Sequence, residues 1–189
     1  MAEYVTTTDQ NVALNSTIPF NSVSIPCNTG SVVPLAPGII NLKGNTSNRF
    51  ARYEVTLQGN IEVPEGGAVT PIALAITVNG SVVPESVAIF TPQAVNEYGH
   101  IHTTATVTVP CGCCVTVSGV YVDGTEDDAA VTPTPSITVR RNASLSVKMV
   151  TTILRSMRVN LSSILPISPI RRPCATRTSC VARMAISIW

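Results

Sequence analysis

The chain has 189 residues, of which 44% are hydrophobic, 4% aromatic and 12% charged, with a net charge of +1. This length suits one good core, and the abundant Val, Thr and Ile favour a β domain over a disordered chain. Residues 1–150 hold all eleven acidic residues and only six basic ones, so we do not expect this body to bind nucleic acid. No signal peptide opens the sequence, and no apolar run reaches the roughly 18 residues of a membrane helix.

The first part of the chain is polar and then extended. We expect residues 1–10 to be a flexible lead to a domain that spans 11–150. Segment 11–26 contains two short apolar runs interrupted by Asn and Pro, which is typical of an edge strand and a turn. A strand with one buried face follows, because apolar residues alternate with polar ones. Its apolar residues are Tyr53, Val55 and Leu57.

The strongest local signal lies between Val69 and Thr91. Leu74 and Ile76 belong to an alternating apolar run that ends at Asn79-Gly80. Asn-Gly between two extended runs predicts a β-hairpin, because both residues tolerate positive φ. We expect the second strand of this hairpin to run from Val82 to Phe90.

The remaining body contains further short extended runs. Residues 92–99 form a connection that could hold one helical turn, and the later strands are expected at 100–109, 113–122, 137–140 and 143–150. About eight to ten strands at this spacing predict an all-β fold, an antiparallel two-sheet sandwich, jelly roll or barrel.

Four segments of this body resemble the tumour necrosis factor/C1q-like jelly roll of Firmicutes and phage surface proteins. They read, in order, ARYEVTLQGNIEV, ALAITVNGSVV, TATVTVPCGCCVTV and ASLSVKMV. The resemblance implies a ten-stranded jelly-roll sandwich that forms a homotrimer through one sheet face. Relatives of this kind serve as heads of collagen-like surface filaments or as virion fibres and decorations. No collagen-like repeat is present here, which favours the virion version.

Residues 151–189 differ from the body in composition. They hold six Arg, no acidic residue and no Gly, and they show neither alternation nor helical periodicity. Three interpretations remain open: a basic tail that docks on an acidic partner or nucleic acid, a short strand with a disordered end, or an ending read out of frame.

Six cysteines invite a search for disulfides and metal sites. Cys111 and Cys114 have the C-x-x-C spacing of a zinc site, and a structural zinc ion needs two further ligands. A Cys27–Cys111 disulfide is the second interpretation, and free thiols are the default for a chain without a signal peptide. The candidate metal ligands are Cys111, Cys113, Cys114, His100 and His102.

No catalytic motif is present, so we expect a non-enzymatic protein without a cofactor. The acidic stretch 123–128 lacks the order of a calcium-binding loop and is better explained as a solvated loop. No nucleophile elbow, P-loop or dinucleotide-binding glycine pattern occurs.

These observations favour a structural or interaction protein in assembly or adhesion, on a virion or bacterial surface. Its partners would be two further copies of the chain, other virion or surface proteins, and a host glycan or protein contacted through loops 43–48, 92–99 and 123–135. The trimer or core face would be drawn from Tyr53, Val55, Leu57, Leu74 and Ile76. The alternative is a monomeric carbohydrate-binding module that uses Tyr98, Tyr121 or Phe90 as an aromatic platform.

Overall fold

The computed structural model describes residues 1–124 and 135–150, which form two antiparallel sheets. The predicted all-β, two-sheet jelly-roll sandwich is confirmed. Thirteen strands and one 3-10 turn lie in these ranges: β1 Ala2–Val5, β2 Gln10–Ala13, β3 Ser22–Ile25, β4 Val32–Ala36, β5 Ile39–Lys43, β6 Phe50–Glu62, β7 Ile72–Val78, β8 Ser81–Val82, the 3-10 turn Pro84–Ser86, β9 Ala88–Phe90, β10 Gly99–Pro110, β11 Cys114–Asp123, β12 Ser136–Val139 and β13 Ser144–Val150.

Sheet A has seven strands and is built around β6. One edge of β6 pairs with β10 in a continuous register from Ile61–Gly99 to Phe50–Pro110. Its other edge is shared by β13 and β12. β13 continues through β1 to β3, and β12 pairs with β2. Among the described strands, β10 pairs with β6 alone, so its other long edge faces no β partner.

Sheet B has six strands in the order β4, β5, β11 and β7, with β8 and β9 sharing the far edge of β7. β8 pairs with residues 77–78 of β7, and β9 pairs with residues 72–74. Apolar residues of both sheets form one core, as expected where the inner faces of two sheets pack together. The close contact is visible at Gly119 of β11, where an added Cβ would lie 3.0 Å from a methyl group of Leu57.

The residues predicted for a trimer or core face all lie in this core. Each is 0–1% exposed, and none is therefore available to another protomer without opening the sandwich. On β6 the cause is alternation, which turns these side chains inward while Arg52 and Glu54 face solvent. On β7 the residues from Ile72 to Thr77 are all buried. The predicted residues are Tyr53, Val55, Leu57, Leu74 and Ile76.

The predicted strand from Val82 to Phe90 is broken in the structure. The Asn79-Gly80 turn forms as expected, with φ of 52° and 82°. After the two residues of β8, however, Pro84 begins a 3-10 turn, and the chain resumes as β9. Proline lacks the N–H that a continuing ladder needs, which explains the interruption.

The N-terminal residues also differ from the expectation of a flexible lead. Ala2–Val5 form β1, which pairs with β13 on one side and β3 on the other. Ala2 and Tyr4 are buried, so a short alternating pattern within polar surroundings is enough to place this strand. Residues 92–99, where one helical turn seemed possible, contain bends and a turn but no helix.

Two of the predicted regions fall outside the described residues. The tail 151–189 is one, and most of the acidic loop 123–135 is the other. Within the described part, no helix has the length and apolar character needed to cross a membrane.

Candidate functional site

A polar cavity of about 410 Å³ opens at one end of sheet A. It lies where β6 ends, β10 begins and β12 turns into β13. A smaller depression of about 110 Å³ shares three of its lining residues. Asp9, Asn60, Tyr98, Arg140, Arg141 and Asn142 line the larger cavity. Gln58, Gly59, Asn60, His100, Arg141 and Asn142 line the smaller depression.

The β12–β13 turn places two of these side chains. The N–H of Ala143 donates to the carbonyl of Arg140 at 3.2 Å, and Asn142 has a φ of 74°. A positive φ at the third position is the pattern of a type II turn, and Asn tolerates it better than most residues. The N–H of Arg140 bonds to Asn60 of β6, and that of Asn142 bonds to Thr6. The turn is therefore fixed to two other segments.

Arg140 connects three groups around the cavity. Its Nη1 donates to Asp9 Oδ2 at 2.7 Å, and its Nε lies 3.6 Å from Glu62 Oε1. The guanidinium also stacks over the ring of Tyr98 at 4.4 Å from the centroid. Glu62 has only 8% of its side chain exposed, so Arg140 is its compensating charge. Arg140 thus fixes the ring of Tyr98, which remains 54% exposed.

Asp9 binds the turn through both of its carboxylate oxygens. Oδ1 accepts the backbone N–H of Arg141 at 2.8 Å, while Oδ2 accepts the side chain of Arg140. The backbone hydrogen bond from Arg141 is the main cause that lowers the pKa of Asp9. Desolvation opposes it, whereas the hydrogen bond and charge of Arg140 and the charge of Arg141 lower the pKa further. Asp9 is therefore ionised at neutral pH and stays an acceptor.

The floor of the smaller depression is formed by side chains of sheet A. His100 Nδ1 donates to the side-chain carbonyl of Asn60 at 2.9 Å, which leaves Nε2 for another contact. Gln58 donates from Nε2 to Ser144 at 3.2 Å and keeps its carbonyl oxygen available. No described residue hydrogen-bonds His100 Nε2 or the Gln58 carbonyl.

This arrangement is suited to binding. It combines one exposed aromatic ring, which offers a stacking surface, with two guanidinium groups, one carboxylate and two amides, which can form hydrogen bonds to a polar ligand. Among the described residues that line the larger cavity there is no Ser, Thr or Cys. Its chemistry is that of recognition by hydrogen bonds and stacking.

The candidate metal ligands are not brought together. His100 and His102 lie on the exposed face of β10 near its start, whereas the cysteines follow its end. His102 and Cys111 are nine positions apart along the chain, which corresponds to roughly 30 Å in an extended strand. Within the described ranges, no group of three potential ligands is close enough to hold a metal ion.

The cysteines differ from the predicted pairing. Cys27 and Cys114 are free thiols, which excludes the Cys27–Cys111 disulfide. Cys111 and Cys113 each take part in a disulfide bond. The hydroxyl of Thr29 contacts the Cys27 sulfur at 3.2 Å, at the end of β3. Of the four cysteines in the described part, two are therefore free thiols, as the sequence predicted by default, and two are not.

Sequence reasoning named Tyr98 but missed the residues around it. Of the three aromatic candidates, Tyr121 is fully buried and Phe90 packs beside Gly99, which leaves Tyr98 alone at a cavity. Asp9, Asn60 and the 140–142 turn come from distant parts of the chain, so no spacing connects them. The only local signal was Arg141-Asn142 between two strands, which indicates a turn and not a site.

No family model matches this sequence, and no curated protein is similar to it. The fold is similar to solved structures of the two families that the sequence resembles. The globular domain of zebrafish complement 1qA has 9% identity and a TM-score of 0.48, with 77% of this chain and 92% of that chain covered. Eiger TNF from S. frugiperda also has 9% identity and a TM-score of 0.48, with 79% of this chain and 91% of that chain covered. A family 35 carbohydrate binding module from Clostridium thermocellum has 11% identity and a TM-score of 0.32, with 77% of this chain and 98% of that chain covered. These likenesses concern architecture and carry no conclusion about ligands.

Proposed function

We propose that this chain is a non-enzymatic interaction protein that binds glycans through the cavity at Tyr98. We further propose that it acts as a trimeric jelly-roll head or decoration, on a phage particle or a bacterial surface, in assembly or adhesion. The observation that carries the binding role is an exposed aromatic ring fixed by an arginine beside a polar cavity.

The chemistry of this cavity fits a sugar. Sugar rings present apolar C–H faces and many hydroxyl groups that donate and accept hydrogen bonds. Arg140 covers one part of the Tyr98 ring, and the exposed remainder offers a stacking surface. Asp9 and Asn60 supply acceptors and donors beside it. The volume of about 410 Å³ lies within the about 300–1,000 Å³ usual for small-ligand sites.

The trimeric role rests on sheet A. β10 is twelve residues long, has no bulge in its register and carries no Lys, Arg, Asp or Glu. Proteins usually protect such an edge with charges, bulges or a covering segment, because a free edge invites association. The edge of β10 and the exposed threonine face beside it are the surface that we assign to the trimer. Three copies of one weak sugar site would then act together and gain avidity.

Glycan binding is tested with the full-length chain on an oligosaccharide array, followed by titration calorimetry. Tyr98→Ala should weaken binding about two- to twelvefold, since an aromatic contact contributes about 0.5–1.5 kcal/mol. Phe50→Ala is the matched control, because Phe50 is a similarly exposed ring with Arg49 over it, at the far end of β6. Equal affinity of the two variants would contradict the assignment of this cavity.

The trimer is tested by light scattering of the full-length chain. We expect a mass near three protomers of 19.9 kDa, and a shift towards one protomer in Thr106→Arg, on the exposed face of β10. Thr91→Arg adds the same charge at an exposed position outside the strands and should leave the mass unchanged. A wild-type mass of one protomer would remove the trimer and favour a monomeric carbohydrate-binding module, since one protomer contains the whole cavity.

A further inference from the structure

We propose that the cavity selects acidic glycans, with the sugar ring on Tyr98 and its anionic group on Arg141. This inference rests on the proposed glycan binding and adds the class of sugar. It follows from how charge is divided between the larger cavity and the smaller depression.

In the larger cavity the charges already compensate each other. Arg140 contacts Asp9 at 2.7 Å and lies 3.6 Å from Glu62, so its charge is balanced within the protein. Both oxygens of Asp9 are used, one by Arg140 and one by the backbone of Arg141. A neutral sugar ring can hydrogen-bond to these groups, but an anion placed beside Arg140 would face the carboxylate of Asp9, and the charge of Arg140 is already shared with Asp9 and Glu62.

The smaller depression is different, because none of the described residues that line it is a carboxylate. Its charged residue is Arg141, and its other polar side chains are amides and the imidazole of His100. The guanidinium of Arg141 has no hydrogen bond or ion pair with any described residue. Its backbone is nevertheless fixed by Asp9 Oδ1 at 2.8 Å, so the side chain starts from a fixed position.

The groups around Arg141 complete a site for an anion. Arg141 presents a planar fork of donors, which matches the oxygens of a carboxylate or a phosphate. The side-chain amide of Asn142 lines the same depression and can donate beside it. The volume of about 110 Å³ exceeds the share of about 30 Å³ that one water occupies, so a small anionic group fits.

Among the described acidic residues, Asp9 interacts with the charge of Arg141, which helps to lower the pKa of Asp9, but both Asp9 oxygens already accept hydrogen bonds from Arg140 and from the Arg141 backbone. The carboxylates of β6 lie farther along that strand. Along β6, the next carboxylate on the exposed face is Glu54, four residues before Gln58 and therefore roughly 13 Å away. Glu54 also stands opposite Lys148 of β13 in the sheet register. Glu62, at the other end, is held against Arg140.

The two depressions share Asn60, Arg141 and Asn142, so one ligand can occupy both. A sugar stacked on Tyr98 would reach Arg141 with a substituent on the ring, either a uronic carboxylate or a phosphate ester. The shared chemistry is an anionic oxygen group on a sugar, and the experiment distinguishes its two sources.

The test uses the full-length chain and three matched oligosaccharides: a hexuronate-containing one, the same sugar with its carboxyl reduced to an alcohol, and a phosphorylated one. We expect the wild type to bind at least one acidic form at least tenfold more tightly than the reduced form. Arg141→Gln should weaken binding of the acidic form more than binding of the reduced form, and so remove that preference. The acidic form with the higher affinity identifies the source of the anion.

Arg52→Gln is the matched control, because Arg52 is an exposed arginine at the other end of β6. It should keep the preference, and circular dichroism melts should show that both variants fold. Equal binding of acidic and reduced forms by the wild type, or an unchanged preference in Arg141→Gln, would overturn the acidic selectivity while glycan binding stands. Failure to bind any of the three sugars would overturn the proposed function as well.

Discussion

Among the described residues, Cys27 has a pKa far below the usual value of a thiol. Burial raises the pKa of its thiol, but hydrogen bonds to the thiolate together lower the pKa by more than burial raises it. They come from the hydroxyl and N–H of Thr29 and from the N–H groups of Val32 and Ser31. The pKa that results is about 7. Because folding lowers this pKa from 9.0, ionisation of Cys27 stabilises the fold above about pH 9, and that contribution is lost as the pH falls through about 7.

We therefore expect alkylation of Cys27 to follow a titration curve with a midpoint near pH 7. The rate at the Cys27 peptide is measured by mass spectrometry after short pulses of iodoacetamide between pH 5 and pH 10, a range of about five units that spans both values. Thr29→Val removes the hydroxyl donor and should move the midpoint upwards. A wild-type midpoint near 9.0 would contradict the hydrogen-bonded thiolate.

At the scale of elements, two glycines in turns can be compared: Gly30 lies between β3 and β4, and Gly38 lies between β4 and β5. Gly38 and Gly30 both have positive φ, 81° and 64°. A Cβ on Gly38 would lie 2.2 Å from the carbonyl oxygen of Ile18, whereas a Cβ on Gly30 would meet nothing within 4 Å. The turn at Gly38 thus packs directly on the segment that leads into β3.

This pair predicts a difference in the free energy of unfolding. Gly30→Ala should cost about 1–2 kcal/mol, the usual cost of a left-handed backbone for a residue with a Cβ. Gly38→Ala should cost about 1–3 kcal/mol more, because the backbone at Ile18 must move. Urea denaturation of both variants measures the difference, and equal costs would show that the contact with Ile18 does not constrain the turn.

The elements also show why the strands, but not the site, could be predicted. β6 and the Asn79-Gly80 turn depend on neighbours in the chain, since alternation and positive φ are local properties. The interruption of the strand at Pro84 could also have been predicted from the sequence, because proline is a local signal that ends a strand. The pair of Asp9 and Arg140 joins residues 131 apart in loops and turns, where no periodicity relates them.

At the scale of the whole molecule, the two sheets are joined by a polar contact as well as by the core. The hydroxyl of Tyr53, on β6 of sheet A, donates to the carbonyl of Lys43, on β5 of sheet B. Burial is the main cause that raises the pKa of Tyr53, so its hydroxyl keeps its proton as a donor. This hydrogen bond fixes one end of sheet B over sheet A.

Tyr53→Phe should lower the free energy of unfolding by about 0.5–1.5 kcal/mol, the net value of one hydrogen bond. The cost stays at this level because the carbonyl of Lys43 also accepts the N–H of Asn45. Tyr4→Phe is the control, since the Tyr4 hydroxyl has no hydrogen bond within the described part. Similar unfolding free energies for the two variants would mean that the contact between the sheets adds nothing to the core.

The pairing of β1 with β13 has a consequence for biosynthesis. Residues 2–5 lie beside residues 144–147, and β1 in turn provides the edge on which β3 pairs. Sheet A therefore cannot be completed on the ribosome until nearly all of the first 150 residues have emerged. Pairings between such distant segments also fold slowly. While the chain is being made, the edge of β1 that will pair with β13 has no partner, and such unpaired edges expose nascent chains to aggregation and to chaperones.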